Sequence, residues 1–253
     1  MCLIVFAWQQ HPRCKLVLVA NRDEQHARPA APMGWWPDQP NVLAGRDLQA
    51  GGTWLGISRS GRFAVVTNYR EYFRAPPAKL SRGKLVRDFV VGDKTPLAFS
   101  QGLNGDDFAG FSLLTADNES LCYTTNREDP PQLLAAGVYG LSNATLDTPW
   151  PKLTRSRDGL HKLLERDEIN PNSLMNLLAD TTPAAVKDID DELPVDLARA
   201  VSAPFIKTET YGTRCTSVVL VENDGSVLVA ERRFDASGNR SGENQYLFNT
   251  GEP

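Results

Sequence analysis

The sequence predicts an α+β fold, a four-layer αββα sandwich with two mostly antiparallel sheets face to face and helices on the outer sides. Three observations carry this. Paired apolar segments joined by short polar turns stand near both ends of the chain, helical periodicity is concentrated between them, and several strands are apolar throughout. Runs such as LIVFA, LVLVA, FAVV and SVVLV have no polar face to turn to water, so both of their sides must be covered.

Taken in order, Cys2 to Trp8 and Lys15 to Asn21 are β-branched-rich runs separated by a polar stretch with a proline, which reads as a hairpin. Ala27 to Ala50 is rich in proline and glycine and carries Trp35-Trp36; it reads as a long functional loop, a rim or lid. Gly52 to Ser58 and Arg62 to Asn68 form a second hairpin around Arg59-Ser60-Gly61. Leu85, Val86, Phe89 and Val90 make a helical stripe, and Thr95-Pro96 is a helix start with proline at the first helical position. Phe108 to Thr115 and Ser120 to Thr125 pair around Asp117-Asn118. Thr148-Pro149 and Asn170-Pro171 repeat the helix-start signal, followed by Leu153, Leu160, Leu163, Leu164 and by Leu174, Leu177, Leu178. Ser217 to Val221 and Ser226 to Ala230 flank Asn223-Asp224-Gly225, a strong hairpin turn.

The 253 residues, 41% hydrophobic and 23% charged, are enough to bury a substantial core, and with no repeat or linker the expectation is one domain over 1–253. Twenty-seven basic residues against 31 acidic ones leave a net charge of -4 and no basic field, which disfavours nucleic-acid binding. Cys2 to Trp8 is too short to span a bilayer and lacks the flanks of a secretory signal, so no integral membrane segment and a cytoplasmic location are expected. Cys2, Cys14, Cys122 and Cys215 form no CxxC pair and no zinc spacing. Reduced thiols, no metal and no cofactor follow.

Cys2 stands apart by position. Removal of Met1 would leave a mature N-terminal cysteine, nucleophile and base in one residue, because an α-amine of ordinary pKa ~7.7–8.0 can take the thiol proton. Asn21-Arg22-Asp23-Glu24 leaves the strand paired with the first, and hairpin geometry brings these four residues beside Cys2. Asn68 and Asn143 close apolar strands, where side-chain amides can serve as oxyanion donors. Arg214 opens a buried strand and needs a partner. Each has a plainer reading as a packing thiol, a turn residue or a lid packed on the core. A shared cleft at one edge of the sandwich, bordered by the 27–50 segment, would unite Cys2, Asn21, Asp23, Asn68 and Asn143.

At these residues the chain resembles the NRDE protein family, the transport and Golgi organisation protein 2-like group. The likeness rests on five ordered motifs over nearly the whole length: the MCLIVFAW start, ANRDE, AGRDLQAGGTWLGISRSGRFAVVTNYRE, YGLSNATLDTPWPK and YGTRCTSVVLV. That family is linked to Golgi organisation, lipid and acyl-CoA metabolism and haem trafficking, which implies as one alternative a non-catalytic haem or acyl-lipid carrier or chaperone. For haem, His11, His26 and the thiols are the available ligands, with no spacing that singles one out. A more distant resemblance is to N-terminal-nucleophile (Ntn) hydrolases of the penicillin V acylase and bile-salt hydrolase type, which implies an αββα sandwich and catalysis by Cys2. On that likeness Asn21-Arg22-Asp23 matches an Asn-x-Asp motif, so Asp23 holds the Cys2 amine, while Asn68 and Asn143 match the family's asparagines. Ala20 replaces the arginine that usually precedes the motif, and Arg214 is only a stand-in for a later one. The function implied is hydrolysis of a non-peptide amide, or an ester, of a small acyl substrate. Arg22 and Arg214 would orient it or meet an anionic group, and Trp35 and Trp36 would border it.

Overall fold

The computed structural model describes residues 2–71, 78–128, 130–189 and 192–251. In chain order these contain β1 (Cys2–Trp8), β2 (Cys14–Gln25), β3 (Ala30–Trp36), β4 (Gln39–Asp47), β5 (Leu55–Ser58) and β6 (Phe63–Asn68). Helices α1 (Gly83–Val91) and α2 (Pro96–Gln101) precede β7 (Phe111–Ala116), β8 (Leu121–Thr125), β9 (Gln132–Leu133) and β10 (Gly137–Leu141). Then come α3 (Pro151–Glu165), α4 (Pro171–Leu177), α5 (Val195–Val201), β11 (Tyr211–Glu222), β12 (Ser226–Phe234) and β13 (Arg240–Asn249).

The strands form a six-stranded sheet, β10-β1-β2-β11-β12-β13, and a seven-stranded sheet, β3-β4-β5-β6-β7-β8-β9. Neighbouring strands run antiparallel, as hairpin connections dictate. Strand parity then assigns three cores. Ile4, Phe6, Leu18 and Val219 meet Leu43, Leu55, Val65 and Leu114 between the sheets. The odd residues of β1 and β2, Leu3, Val5, Val17 and Val19, face Leu153, Leu160 and Leu174 of α3 and α4. On the other side Ala64, Val66 and Leu113 lie under Leu85, Val86 and Phe89 of α1. The continuously apolar strands are therefore the central ones, covered by the other sheet and by a helix, and the αββα sandwich follows.

Local signals act where the chain turns. Thr95 and Asn170 accept from the amides of Ala98 and Ser173 as helix N-caps, each worth about 1 kcal/mol. Asp117 closes the β7–β8 turn by accepting from the amides of Glu119 and Ser120, and Gly225 supplies the left-handed residue (φ +90) of the β11–β12 turn. Two expectations need correction. The helix expected at Thr148-Pro149 starts two residues later, with Pro151 first after Trp150. The 27–50 segment is no loop but the β3–β4 hairpin, the edge of the seven-stranded sheet. Its Trp36 is buried and donates from Nε1 to the Ala44 carbonyl, and Trp35 packs edge-on to Phe248 under Arg59. Both tryptophans staple the hairpin down.

One close approach aims a helix at the site. A Cβ on Gly52 would lie 2.5 Å from the Gly83 carbonyl carbon, so the β4–β5 connection and the start of α1 touch backbone to backbone. Arg82, immediately before α1, is thereby carried to the edge of the sandwich where β1, β11 begin and β2, β6, β10 end. Among the described residues no helix is long and apolar enough to cross a membrane.

Candidate active site

Register builds the site. Cys2 on β1 pairs with Arg22 on β2, and Arg22 pairs with Cys215 on β11, so these side chains form a row on the inter-sheet face. Cys2 and Cys215 are two strand spacings apart, about 9.5 Å, too far for a disulfide without backbone movement. Burial pushes the Cys2 thiol up and the Asp23 charge adds to this, while the Asp23 backbone amide and the Arg22 guanidinium pull it back. Burial and Glu231 hold the Cys215 thiol well above the ordinary range. Glu231, itself buried, accepts from the Met33 amide at 3.0 Å.

One residue further along β2 the chain turns to the opposite face. Asp23 lies under the helix layer, and its Oδ1 accepts from Thr213 Oγ1 at 2.7 Å. The Ile206 amide donates to that same hydroxyl at 2.9 Å, which fixes the direction of the relay toward Asp23. Burial pushes the Asp23 carboxyl up, opposed by Lys152, Thr213 and Arg22. Lys152, the second residue of α3, is only 3% exposed and donates from Nζ to the Val201 carbonyl at 2.9 Å. Burial pushes its pKa down to about 8.

Asn143 follows β10 in the left-handed region, with φ +57, a conformation that asparagine tolerates better than other side chains with a Cβ. Its partners orient the amide: Oδ1 accepts from the Cys2 backbone nitrogen at 3.3 Å, and Nδ2 donates to the Asn68 carbonyl at 3.0 Å. Ser142 Oγ also binds the Cys2 carbonyl at 2.9 Å. Asn143 thus faces the Cys2 nitrogen with its oxygen and commits one of its two amide hydrogens to β6. Asn68 ends β6 with its side chain exposed.

A cleft of about 510 Å³ opens beside the row, with Cys2, Asp23, Asn68, Arg82, Arg214 and Cys215 among its walls. A second, of about 410 Å³, shares Asn68 and Arg82 with the first and is walled by Asn143, Leu193, Leu197 and Val201. The two meet at the site. The β3–β4 hairpin does border the larger cleft, through Arg28, Ala31, Pro32 and Arg46. Trp35 and Trp36 line neither cleft, being spent in packing. Asn21 lines neither as well: it is fully buried, donates to the carbonyls of Leu178 and Pro204, and accepts from Thr216 Oγ1. It ties β2 to the helix layer.

The larger cleft carries seven cationic side chains against four carboxylates. Arg28 is paired with Asp47, Arg46 with Asp38 and Lys79 with Asp107. Arg82, Arg214 and Arg233 have no carboxylate within ion-pair distance among the described residues. Arg214 is the extra residue of a β-bulge on β11, and its Nη1 donates to the carbonyls of Gln25, His26 and Arg28. Arg82 donates to the Gly110 carbonyl at 3.0 Å, and its charge attracts Cys2. Arg82, Lys152, Glu231 and Arg233 were not singled out from sequence. Among the described residues no cluster of His, Cys, Asp or Glu could hold a metal ion.

With this geometry in hand, similarity to known proteins can be stated. The family model described as Transport and Golgi organisation 2 matches residues 1–236. A Transport and Golgi organization 2 homolog of Mus musculus is 33% identical, covering 98% of this chain and 99% of that protein. Its Homo sapiens counterpart is 34% identical over 92% of each. Among solved structures, a C2A mutant of a conjugated bile acid hydrolase from Clostridium perfringens superposes with a TM-score of 0.52, covering 99% of this chain and 98% of that one at 9% identity. At that identity the likeness establishes the fold, that of an Ntn hydrolase.

Proposed function

The chain belongs to the Transport and Golgi organisation 2 family, and from that premise we propose that it is an N-terminal-cysteine hydrolase of a non-peptide amide, or an ester, of a small acyl substrate. The observation that carries the reading is the environment of Cys2: a thiol beside a cleft, with its own nitrogen held by Asn143 and the buried Asp23 nearby. Met1 lies outside the described residues. Its removal would turn the Cys2 nitrogen from an amide into an α-amine.

In this reading the thiol proton passes to the α-amine as Sγ attacks the carbonyl carbon, and the carbonyl electrons move onto oxygen. Asn68 and Arg82, common to both clefts, stabilise that oxyanion. Its collapse breaks the C–N bond, the ammonium returns the proton to the leaving amine, and water cleaves the thioester to release the acid. Asp23 and Asn143 hold the α-amine throughout. Arg214 and Arg233, which line the larger cleft and have no carboxylate within ion-pair distance among the described residues, favour a substrate bearing an anionic group. A haem carrier is supported less well. His11 accepts at Nδ1 from the amides of Arg13 and Cys14 and donates from Nε2 to Asp167, while His26 Nε2 bonds the Thr208 carbonyl, so neither ring is presented to a ligand.

The test needs no knowledge of the substrate. Intact mass should lack Met1, and an electrophilic acyl probe should add once, at Cys2, in the parent and not in Cys2→Ala. Turnover against an acyl-amide panel should vanish in Cys2→Ala and Cys2→Ser. A mature mass that includes Met1 would overturn this mechanism, and an unreactive Cys2 together with saturable acyl-lipid or haem binding would favour the carrier.

A further inference from the structure

Among the described residues two carboxylates are buried, Asp23 and Glu231, and they lie on opposite faces of the six-stranded sheet. Glu231 shares the inter-sheet face with Val227 and Val229, together with Arg22 and Arg233. Asp23 shares the helix face with Val17 and Val19 of β2, and α3 packs on that face over the neighbouring β1 and β10. The buried lysine, Lys152, comes from the N-terminal turn of α3 itself, and its one hydrogen bond is to a neutral carbonyl. A buried ammonium requires an anion, and on this face Asp23 is the buried carboxylate. The attraction is mutual, each group shifting the other toward its charged form. A helix N-terminus disfavours a cation, so the dipole of α3 gives no reason for a lysine here.

We propose that Lys152 is a positioning residue of the site: its ammonium shares the Asp23 carboxylate with the α-amine of processed Cys2, and thereby holds that amine neutral and able to accept the thiol proton. The inference rests on the Cys2 reading above and deepens it. Two amines beside one buried carboxylate compete for its charge. With Lys152 protonated, a second ammonium at Cys2 would be in excess, so the α-amine stays a base; with Lys152 absent, the α-amine loses that competitor for the Asp23 charge and its ammonium form is favoured. Other charged or titratable groups facing the set are the Cys2 thiol on β1, Arg22 and Glu24 on β2, Arg70 past the end of β6, and Arg82 before α1. Arg70 repels the Lys152 ammonium and adds to the local positive excess. Its own guanidinium lies 4.7 Å from the ring centre of Trp150.

The experiment uses the full chain released from a protease-removable leader so that Cys2 is the first residue, which makes it independent of natural processing. ¹⁵N-cysteine labelling gives four backbone signals, of which the one lost in Cys2→Ser reports the α-amine. In the parent the amine should titrate below the ordinary range of about 7.7–8.0. Lys152→Met should raise that midpoint by about one pH unit or more, as expected for removing a nearby unit charge from a protein interior, and Lys152→Arg should leave it near the parent value. An unchanged or lowered midpoint in Lys152→Met would overturn the proposal. Should that variant not fold, the parent supplies the second measurement. Lys152, followed through its ¹³Cε signal, should still be protonated where the α-amine has lost its proton, and an α-amine that titrates at or above Lys152 would overturn the proposal. No substrate enters either titration, so absence of turnover would sink the proposed function without affecting this outcome.

Discussion

Asn143 should be the residue whose loss most directly uncouples Cys2 from its surroundings, and the cost can be worked out by parts. Replacement by alanine removes the acceptor of the Cys2 nitrogen and the donor to the Asn68 carbonyl. A buried N–H left unpaired costs about 1–3 kcal/mol, and a carbonyl at a cleft wall, which water can reach, about 1 kcal/mol. Alanine also has to hold the left-handed φ of +57, adding about 1 kcal/mol over asparagine. Asn143→Ala should therefore lose about 3–5 kcal/mol. Asn143→Gly loses the same two bonds, but its freedom at positive φ roughly offsets its extra unfolded-state entropy of about 0.5–1 kcal/mol, leaving about 2–4 kcal/mol. Urea unfolding followed by tryptophan fluorescence measures both, provided the slope m is unchanged. Glycine should be the milder by about 1 kcal/mol. Alanine as stable as glycine would show that residue 143 is not held left-handed, and a loss below about 0.5 kcal/mol in both would show that the two bonds contribute nothing.

Two further outcomes follow from the same geometry. Burial, and then Glu222, push the Cys14 thiol up to about 11; its alkylation by iodoacetamide at pH 8.5, read by peptide mass mapping, should be about a hundredfold slower than that of a free thiol and should accelerate only as the pH approaches the raised value, whereas labelling at the free-thiol rate would contradict the burial. Gly52→Ala should cost about 1–3 kcal/mol of unfolding free energy, because its Cβ would meet the Gly83 backbone at 2.5 Å, and it should also move Arg82; a variant as stable as the parent would mean that the two segments part freely.

How much of this was legible in the sequence depends on whether a residue's role is set by its own strand or by another layer. The first hairpin could be read from its apolar runs, and its register follows from the turn, so the proximity of Asn21-Arg22-Asp23 to Cys2 was derivable. What each of those side chains does was not, because neighbours on a strand point to opposite faces and only the packed layers say which face holds the helix. Asn21 looks like a site residue and is instead a tie to the carbonyls of Leu178 and Pro204. Lys152 reads as a solvated residue at the start of a helix; nothing local signals that the first turn of α3 is buried with its ammonium on the Val201 carbonyl. Arg82 and Glu231 are hidden the same way, each brought to the cleft by contacts with segments distant in sequence. The β3–β4 hairpin escaped because its prolines and glycines mask a strand pattern that the edge of a sheet tolerates.

The division of the site between two faces of one sheet accounts for the tightness of its register. Arg22 points between the sheets, with Cys2 and Cys215 on either side, and Asp23 points under the helices, with Thr213 and Lys152. The Cys2 nitrogen belongs to the strand backbone and lies between the two. In the proposed mechanism the thiol addresses the cleft and the α-amine addresses the buried carboxylate, two chemically distinct ends of one residue. A slip of β2 by one residue would exchange Arg22 and Asp23, putting a carboxylate beside the thiol and a guanidinium beside the amine. The carboxylate beside the thiol would raise it and so oppose the proposed proton transfer. Glu24, 3.8 Å from Arg22 and 3.9 Å from Arg28, shares the inter-sheet face with Arg22 in the observed register and would turn to the helix face in the slipped one. The register is fixed by apolar pairing from Ile4–Ala20 to Trp8–Leu16, so the core of β1 and β2, remote from the cleft, decides which face receives the base.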